Sequence, residues 1–301
     1  MILLRLKMKN KLFLLLSLIF FLFSEVRSQE YKVFRGEIEN TEQKDISKPV
    51  TGYYSLEYGG ISVLSTYLSP LTYKGENSAI SGYWTKAMPF DPEKVIMEFK
   101  GDLSFSSLLN PAQTARMVGI DAAFAWGMAW RIKAAEGFQF TLGGDVQIAG
   151  GAFYLLRNSN NPVSALANFS LDLRASISQP FKIGKLPILF SDRIQIPTAG
   201  VFFNPQYGET YYEIYLGNLE GLAHFGWWGN NFRLNNLLSF TLDFGRTAMS
   251  IGYKLDVFNQ WANNLNTRII KNTFVIGVIP GGIGLKKRAQ KLPDETIYAI
   301  Y

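Results

Sequence analysis

VGIDAAFAWGMAWRI, residues 118–132, has an apolar side chain at every second position. The even positions hold Val118, Ile120, Ala122, Phe124, Trp126, Met128, Trp130 and Ile132, whereas the odd positions hold Asp121 and Arg131 among small residues. A period of two places successive side chains on opposite faces of a sheet. The stretch therefore predicts a β-strand with one apolar and one polar face.

The same alternation recurs in five more segments, near residues 95–105, 138–148, 169–177, 238–244 and 249–257. The segments are longer than typical soluble strands of about 5 or 6 residues, and they match the roughly 9 to 11 that a tilted membrane strand needs. We predict an all-β fold: a transmembrane antiparallel up-and-down β-barrel. Its lumen would hold a polar network of the charged side chains on the polar faces: Glu98, Lys100, Asp102, Asp121, Arg131, Asp145, Asp172, Arg174, Asp243, Lys254 and Asp256.

A soluble secreted β-sandwich would also show this alternation, with its apolar faces turned inward. The uncharged faces favour the barrel because they carry Trp126, Trp130 and Tyr253, and Trp130 near a segment end suits an aromatic girdle at a membrane interface. The sandwich would be excluded if the mature protein could not be kept in solution without detergent.

The N-terminus predicts export. Basic residues precede the apolar run LFLLLSLIFFLF at residues 12–23, and a polar exit follows, as in a secretory signal peptide. We assign residues 1–28 to the signal peptide, 29–49 to a periplasmic lead segment and 50–301 to an outer-membrane barrel. A retained anchor is the alternative, but twelve apolar residues are fewer than the roughly 20 of a spanning helix.

Turn-forming residues separate the alternating segments. They are GEN at 75–77, NPAQ at 110–113, AAEG at 134–137, RNSNNP at 157–162, GR at 245–246 and NNLNT at 263–267. Dividing the mature chain into strands with their connections, at roughly 23 residues each, predicts about 12 strands, within a range of about 10 to 14.

Composition excludes several classes of function. The chain has no cysteine and one histidine, which excludes a disulfide scaffold, a cysteine nucleophile and a Cys-ligated metal site. Without the signal peptide, 25 Lys and Arg face 23 Asp and Glu, so little positive charge remains for nucleic acid. We expect no cofactor, no metal and no nucleic-acid partner.

A hydrolytic site would have to use His224. Outer-membrane phospholipase barrels, which this chain resembles in size, use a His, a Ser two residues later and an Asn about a dozen further on. Asn235 and Asn236 lie near that distance, but the nucleophile position is Gly226. We therefore expect no enzymatic activity and keep a lipid-modifying barrel enzyme as the alternative.

Three stretches resemble a family of Gram-negative outer-membrane β-barrel proteins defined as a domain of unknown function: TYLSPLTYKG at 66–75, FNPQYGETYYEIY at 203–215 and TAMSIGYKLDVFNQWANNLNTRIIKNTFVIG at 247–277. The resemblance implies an outer-membrane location and a barrel fold. The expected function is a narrow solute channel or a structural or partner-binding barrel.

The expected partners are outer-membrane lipids, an unknown protein, and the barrel-assembly machinery during biogenesis. The chain ends in Tyr301, with Ala299 and Ile297 in register behind it, and a terminal aromatic on a final apolar face resembles the signal that this machinery recognises. An ordinary tail is the alternative, because Pro293 disfavours a strand there.

Overall fold

The protein is a β-barrel in a computed structural model that describes residues 49–134, 137–159, 161–285, 297 and 299–300. The elements are β1 (Thr51–Ser65), β2 (Ser69–Ala87), β3 (Val95–Leu109), β4 (Arg116–Lys133), β5 (Gln139–Leu155), β6 (Val163–Ile183), β7 (Leu186–Phe203), α1 (Tyr211–Tyr215), β8 (Ala223–Gly226), β9 (Asn231–Asp243), β10 (Thr247–Ala262) and β11 (Leu265–Pro280). The predicted signal peptide and all of the lead segment except Pro49 lie outside the described residues.

Ten strands form a closed antiparallel ring. Neighbours along the chain pair with each other, β7 pairs with β9, and β1 closes the ring against β11. The short β8 pairs with the end of β7, where Gly200–Phe203 face Ala223–Gly226. The prediction of an all-β antiparallel barrel is therefore confirmed.

The expected number of about 12 strands was too high by two. The ring occupies the 230 residues from Thr51 to Pro280, so each strand with its connection takes 23 residues, as expected. The predicted number was too high because it divided the whole mature chain into strands, and not only these 230 residues. Residues after Pro280 add no further strand within the described part of the chain.

One predicted separator was wrong. GEN at residues 75–77 lies inside β2, because Gly75 serves close strand approach and not a turn: a β-carbon there would come within 2.0 Å of the Ser107 carbonyl oxygen. The turn between β1 and β2 falls instead at residues 66–68. At the other end of the chain, NNLNT does hold a two-residue hairpin turn, with Asn263 and Asn264 at φ 51° and 59°.

The strand faces agree with the predicted alternation. On β4, the outward side chains include Phe124, which is 50% exposed, and Trp130, which is 54% exposed, whereas Arg131 beside it is buried. The outward apolar residues of β5, β6, β9 and β10 are exposed in the same way. The barrel therefore has an apolar outer surface and carries its buried charged side chains on the inner face.

The described part of the C-terminus is not a strand. Ala299 is fully buried against Ile96 and Ala129, and its carbonyl oxygen accepts a hydrogen bond from Arg131 at 3.3 Å. The expected final apolar strand face is thus absent at Ile297, Ala299 and Ile300, and Tyr301 lies outside the described residues. No helix among the described residues is long and apolar enough to span a membrane.

Candidate functional site: the barrel lumen

The lumen holds a layer of paired charges, here called the central layer. Glu98 on β3 lies at its centre: its carboxylate accepts from the Arg174 guanidinium at 2.5 Å and from Arg193 at 3.0 Å. Arg174 also faces Asp145 at 3.4 Å. These four side chains come from β3, β5, β6 and β7, so the cluster links opposite parts of the wall.

A second group in the central layer is built on Lys254 of β10. Its ammonium donates to Glu57 at 2.8 Å and to Asp102 at 3.0 Å, and Lys100 approaches Asp102 at 3.4 Å. The Ser81 hydroxyl lies within hydrogen-bond distance of both carboxylates, at 2.5 Å from Glu57 and 2.6 Å from Asp102. Each buried charge has an opposite charge within reach, which is the condition for burying charges at a tolerable cost.

Three further predicted lumen residues have side-chain partners. Asp121 accepts from Lys271 at 2.6 Å, Asp172 accepts from Gln195 at 2.8 Å, and Asp256 accepts from Asn235 at 3.5 Å. Nine of the eleven predicted side chains therefore lie in the central layer: Glu98, Lys100, Asp102, Asp121, Asp145, Asp172, Arg174, Lys254 and Asp256.

The other two predicted residues lie inside the wall but at the barrel end where β1 begins. Arg131 donates to the backbone carbonyls of Pro92, Glu93 and Ala299. Asp243 accepts from the backbone N–H groups of Gly245 and Leu285. These two side chains therefore hold loops at this barrel end. Alternation in the sequence indicates that a charged side chain faces inward, but it does not show whether the side chain forms an ion pair or binds backbone groups.

Three residues of the central layer were missed in the sequence. They are Glu57, Arg193 and Lys271, which face inward on β1, β7 and β11. The alternation around Glu57 is obscured because tyrosines occupy both faces of β1, with Tyr53 inside and Tyr58 outside. Glu57 does lie between the apolar Leu56 and Tyr58, but Arg193 follows Asp192 and Lys271 precedes Asn272, so the alternation is interrupted at both of these positions.

Apolar layers cover the central layer on both sides. Toward the β1–β2 turn the interior is filled by Val63, Leu108, Met117, Phe153 and Phe258 with their neighbours, and at the opposite end by Tyr53, Tyr83, Leu189, Ile279 and Ile283. Two cavities lined by described residues have volumes of about 80 and 130 Å³. Each has room for a few waters, since one water needs at least about 10–15 Å³.

Residues 204–222, here called the lid segment, are tied to the rim at the β1–β2 end. The Asn263 amide donates to the carbonyls of Pro205 and Gly221, both at 3.1 Å. Tyr67 donates to the Glu209 carbonyl at 2.7 Å, and the Ala165 N–H donates to the Tyr211 hydroxyl at 2.6 Å. The second stretch of the family resemblance therefore forms a cover held by the β1–β2 turn, the β10–β11 turn and the start of β6.

Local polar groups order the lid segment. Thr210 and Glu213 form a capping box at the start of α1, and the N–H of Thr210 lowers the pKa of the Glu213 carboxyl. Burial, with smaller contributions from Tyr211 and Glu209, raises the pKa of Tyr67 to about 12. Tyr67 therefore stays a neutral hydroxyl donor over the ordinary pH range.

The predicted hydrolase residues are not brought together. His224 lies on β8, stacks on Phe202 and contacts the Asn263 amide at 3.2 Å. His224 pairs with Phe202 of β7, whereas Asn235 pairs with Gln195 of β7. These two partners are seven residues apart, which corresponds to roughly 23 Å along the strand at about 3.3 Å per residue. Asn235 faces the lumen, whereas Asn236 faces outward.

The profile of the family described as protein of unknown function DUF3316 matches residues 12–289. The chain belongs to this family. In this DUF3316 chain the match covers every described strand, from Thr51 to Pro280. A search of curated proteins found no match.

Two solved structures are similar to the DUF3316 chain. The transport unit of the autotransporter AIDA-I from Escherichia coli is 7% identical, with a TM-score of 0.37 over 81% of this chain and 93% of that one. The β domain of the Bordetella autotransporter BrkA is 9% identical, with a TM-score of 0.28 over 77% of this chain and 100% of that one.

Among the described residues, no group of three or more His, Asp or Glu side chains is placed to hold a metal ion.

Proposed function

We propose that this DUF3316 protein is an integral outer-membrane β-barrel without enzymatic activity that acts as a structural or partner-binding barrel. The observation that carries the proposal is the combination of an apolar outer surface with a lumen filled by paired charges. An apolar outer face and a polar interior are typical of outer-membrane barrels. Small barrels are commonly filled by side chains and leave no open pore.

The central layer and the lid segment favour this version over a solute channel. A conducting pore needs a continuous water path, whereas these two cavities have room for a few waters each and are partly lined by the apolar layers, by Phe258 in one and Leu189 in the other. The longest described connection, the lid segment, suits the outer side, because outer-membrane barrels have short periplasmic turns and longer outside loops. The lipid-modifying alternative gains no support from the separation of His224 and Asn235.

The first experiment is heat modifiability combined with membrane fractionation. Detergent-purified mature protein is run on a gel with and without boiling, and membranes of the source cells are separated. We expect a faster unboiled band and recovery in the outer-membrane fraction. A single band recovered from the soluble fraction would contradict the proposal.

Planar bilayer recordings separate the filled barrel from the channel. Folded protein, identified by its faster gel band, is added to the bilayer beside an open porin as the positive control. We expect no conductance steps above the protein-free bilayer. Reproducible steps from the folded protein would favour the narrow channel.

A further inference from the structure

A charged side chain faces outward between apolar residues of β7. Asp192 lies on β7 between Phe190 and Ile194 on the outer face, and its carboxylate accepts from the Asn236 amide of β9 at 2.6 Å. Asn236 itself lies between the outward Leu234 and Leu238. In the proposed membrane location, both polar groups would therefore lie within the apolar belt and not at its edge.

A second outward polar pair lies beside the first. The Tyr253 hydroxyl of β10 donates to the Asn272 side-chain oxygen of β11 at 2.6 Å. Asp192 and Tyr253 both pair with Leu238 of β9, so they lie two strands apart, roughly 10 Å. We call Asp192, Asn236, Tyr253 and Asn272 the lipid-facing polar patch.

The opposite wall has no such patch. The outward positions of β4 from Val118 to Ile132, and those of β5 from Phe140 to Ala152, hold only apolar residues and glycine. A charged side chain on a lipid-facing surface lowers stability, so an ionisable residue in the belt is evidence for a function. The asymmetry locates that function on the wall of β7, β9, β10 and β11.

We propose that this wall is the interface through which two copies of the chain associate in the membrane. The proposal rests on the outer-membrane location proposed above. Between apolar surfaces in lipid there is no hydrophobic driving force, and association depends on packing and on hydrogen bonds between polar side chains. The polar patch supplies such groups between apolar outward residues, whereas the outward positions of β4 and β5 described above supply none.

The composition of the patch favours a second copy as the partner. Within the described part of the chain, one carboxylate oxygen of Asp192 accepts no hydrogen bond, and the Asn272 amide nitrogen donates none. The patch thus offers both an acceptor and donors, so its polar groups complement those of an identical patch. Symmetric homodimers join the same surface of both subunits, which requires this self-complementarity.

Single-cysteine cross-linking tests the proposal directly, because the native chain has no cysteine. Leu238→Cys lies at the centre of the patch, and Phe124→Cys on β4 is the matched outward control. Outer membranes containing each variant are treated with a short bis-maleimide cross-linker. We expect a homodimer band for Leu238→Cys, at least fivefold stronger than for Phe124→Cys. Equal bands, no dimer, or adducts with other proteins only would overturn the proposal.

Removing the polar groups gives a second, independent measurement. Asp192→Leu combined with Asn236→Leu, in the Leu238→Cys chain, should reduce the cross-linked dimer severalfold. The faster unboiled band should persist, because outward leucines suit a lipid-facing wall. An undiminished dimer would overturn the role of the patch. Loss of the faster unboiled band in the Leu238→Cys chain itself would instead count against the proposed outer-membrane barrel. Failure of the dimer interface and failure of the proposed function are therefore distinguishable.

Discussion

Replacing Glu98 with Gln tests whether the central layer stabilises the barrel. The side chain is 6% exposed and compensates the buried guanidinium of Arg174 and the partly buried one of Arg193. Removing one partner of a buried ion pair typically costs about 3–5 kcal/mol. Arg174 would keep Asp145 at 3.4 Å, whereas Arg193 would lose its only salt-bridge partner among the described residues. We therefore expect the lower end of the range, about 3 kcal/mol, a roughly hundredfold change in the folding equilibrium.

The assay is urea unfolding of the barrel in lipid vesicles, followed by the fluorescence of the six tryptophans and checked by the unboiled gel band. With a slope of about 1–3 kcal/mol per molar urea, the midpoint should fall by roughly 1–3 M. Glu220→Gln, at an exposed lid position, is the control and should leave the midpoint unchanged. Equal midpoints for the two variants would refute the stabilising role of the central layer.

A paired replacement distinguishes charge compensation from packing. Glu98→Met with Arg193→Met removes both charges and leaves Arg174 beside Asp145. Because well-packed apolar residues can replace a buried ion pair at little cost, this double variant should be clearly more stable than Glu98→Gln. A double variant as unstable as the single one would indicate that side-chain shape, and not the lost charge, causes the destabilisation.

Three further predictions concern the outer wall and the lid segment. Phe124→Arg should destabilise the lipid-embedded barrel by about 2–4 kcal/mol, and Tyr207→Arg in the lid should not; equal urea midpoints would contradict a lipid-facing wall. Asn263→Ala removes the amide that holds the lid and should weaken it by about 1–3 kcal/mol, seen as faster proteolysis of residues 204–222. Asn264→Ala is the control, since it has the same positive φ. Because the pKa of Tyr67 is raised from 10.0 to about 12, its hydroxyl contributes stability that is complete below pH 10.0 and is lost as the pH rises to about 12. Protease resistance of the lid should therefore fall over this pH range, and it should fall less in Tyr67→Phe.

The strand faces were predictable because alternation is a local property. Side-chain direction follows from a two-residue period, so Asp121 and Phe124 could be assigned to opposite faces without knowledge of their neighbours. Strand ends were less predictable. Gly75 is suited both to a turn and to close contact between strands, and only the position of β3 decides between these roles.

The pairing of charges could not be predicted. The inward direction of Glu98 and Arg174 follows from their own strands, but their contact depends on the tilt and stagger of the whole barrel. The same holds for Asn235 and Asn236, which are adjacent in sequence and face opposite sides of the wall. The attachment of the lid segment could not be predicted either, because its anchors at Tyr67 and Asn263 are distant in the chain.

The ion pair between Glu57 and Lys254 joins residues 197 positions apart, across the junction where β1 meets β11. Asp121 and Lys271 are separated by 150 positions. Neither pair can form until the first and last strands have come together, so an open sheet would carry these charges without compensation. Contacts of such long sequence separation make folding slow. Closure of the ring and dehydration of its interior should therefore be a single late and cooperative step, and mutations in these pairs should accumulate unclosed assembly intermediates.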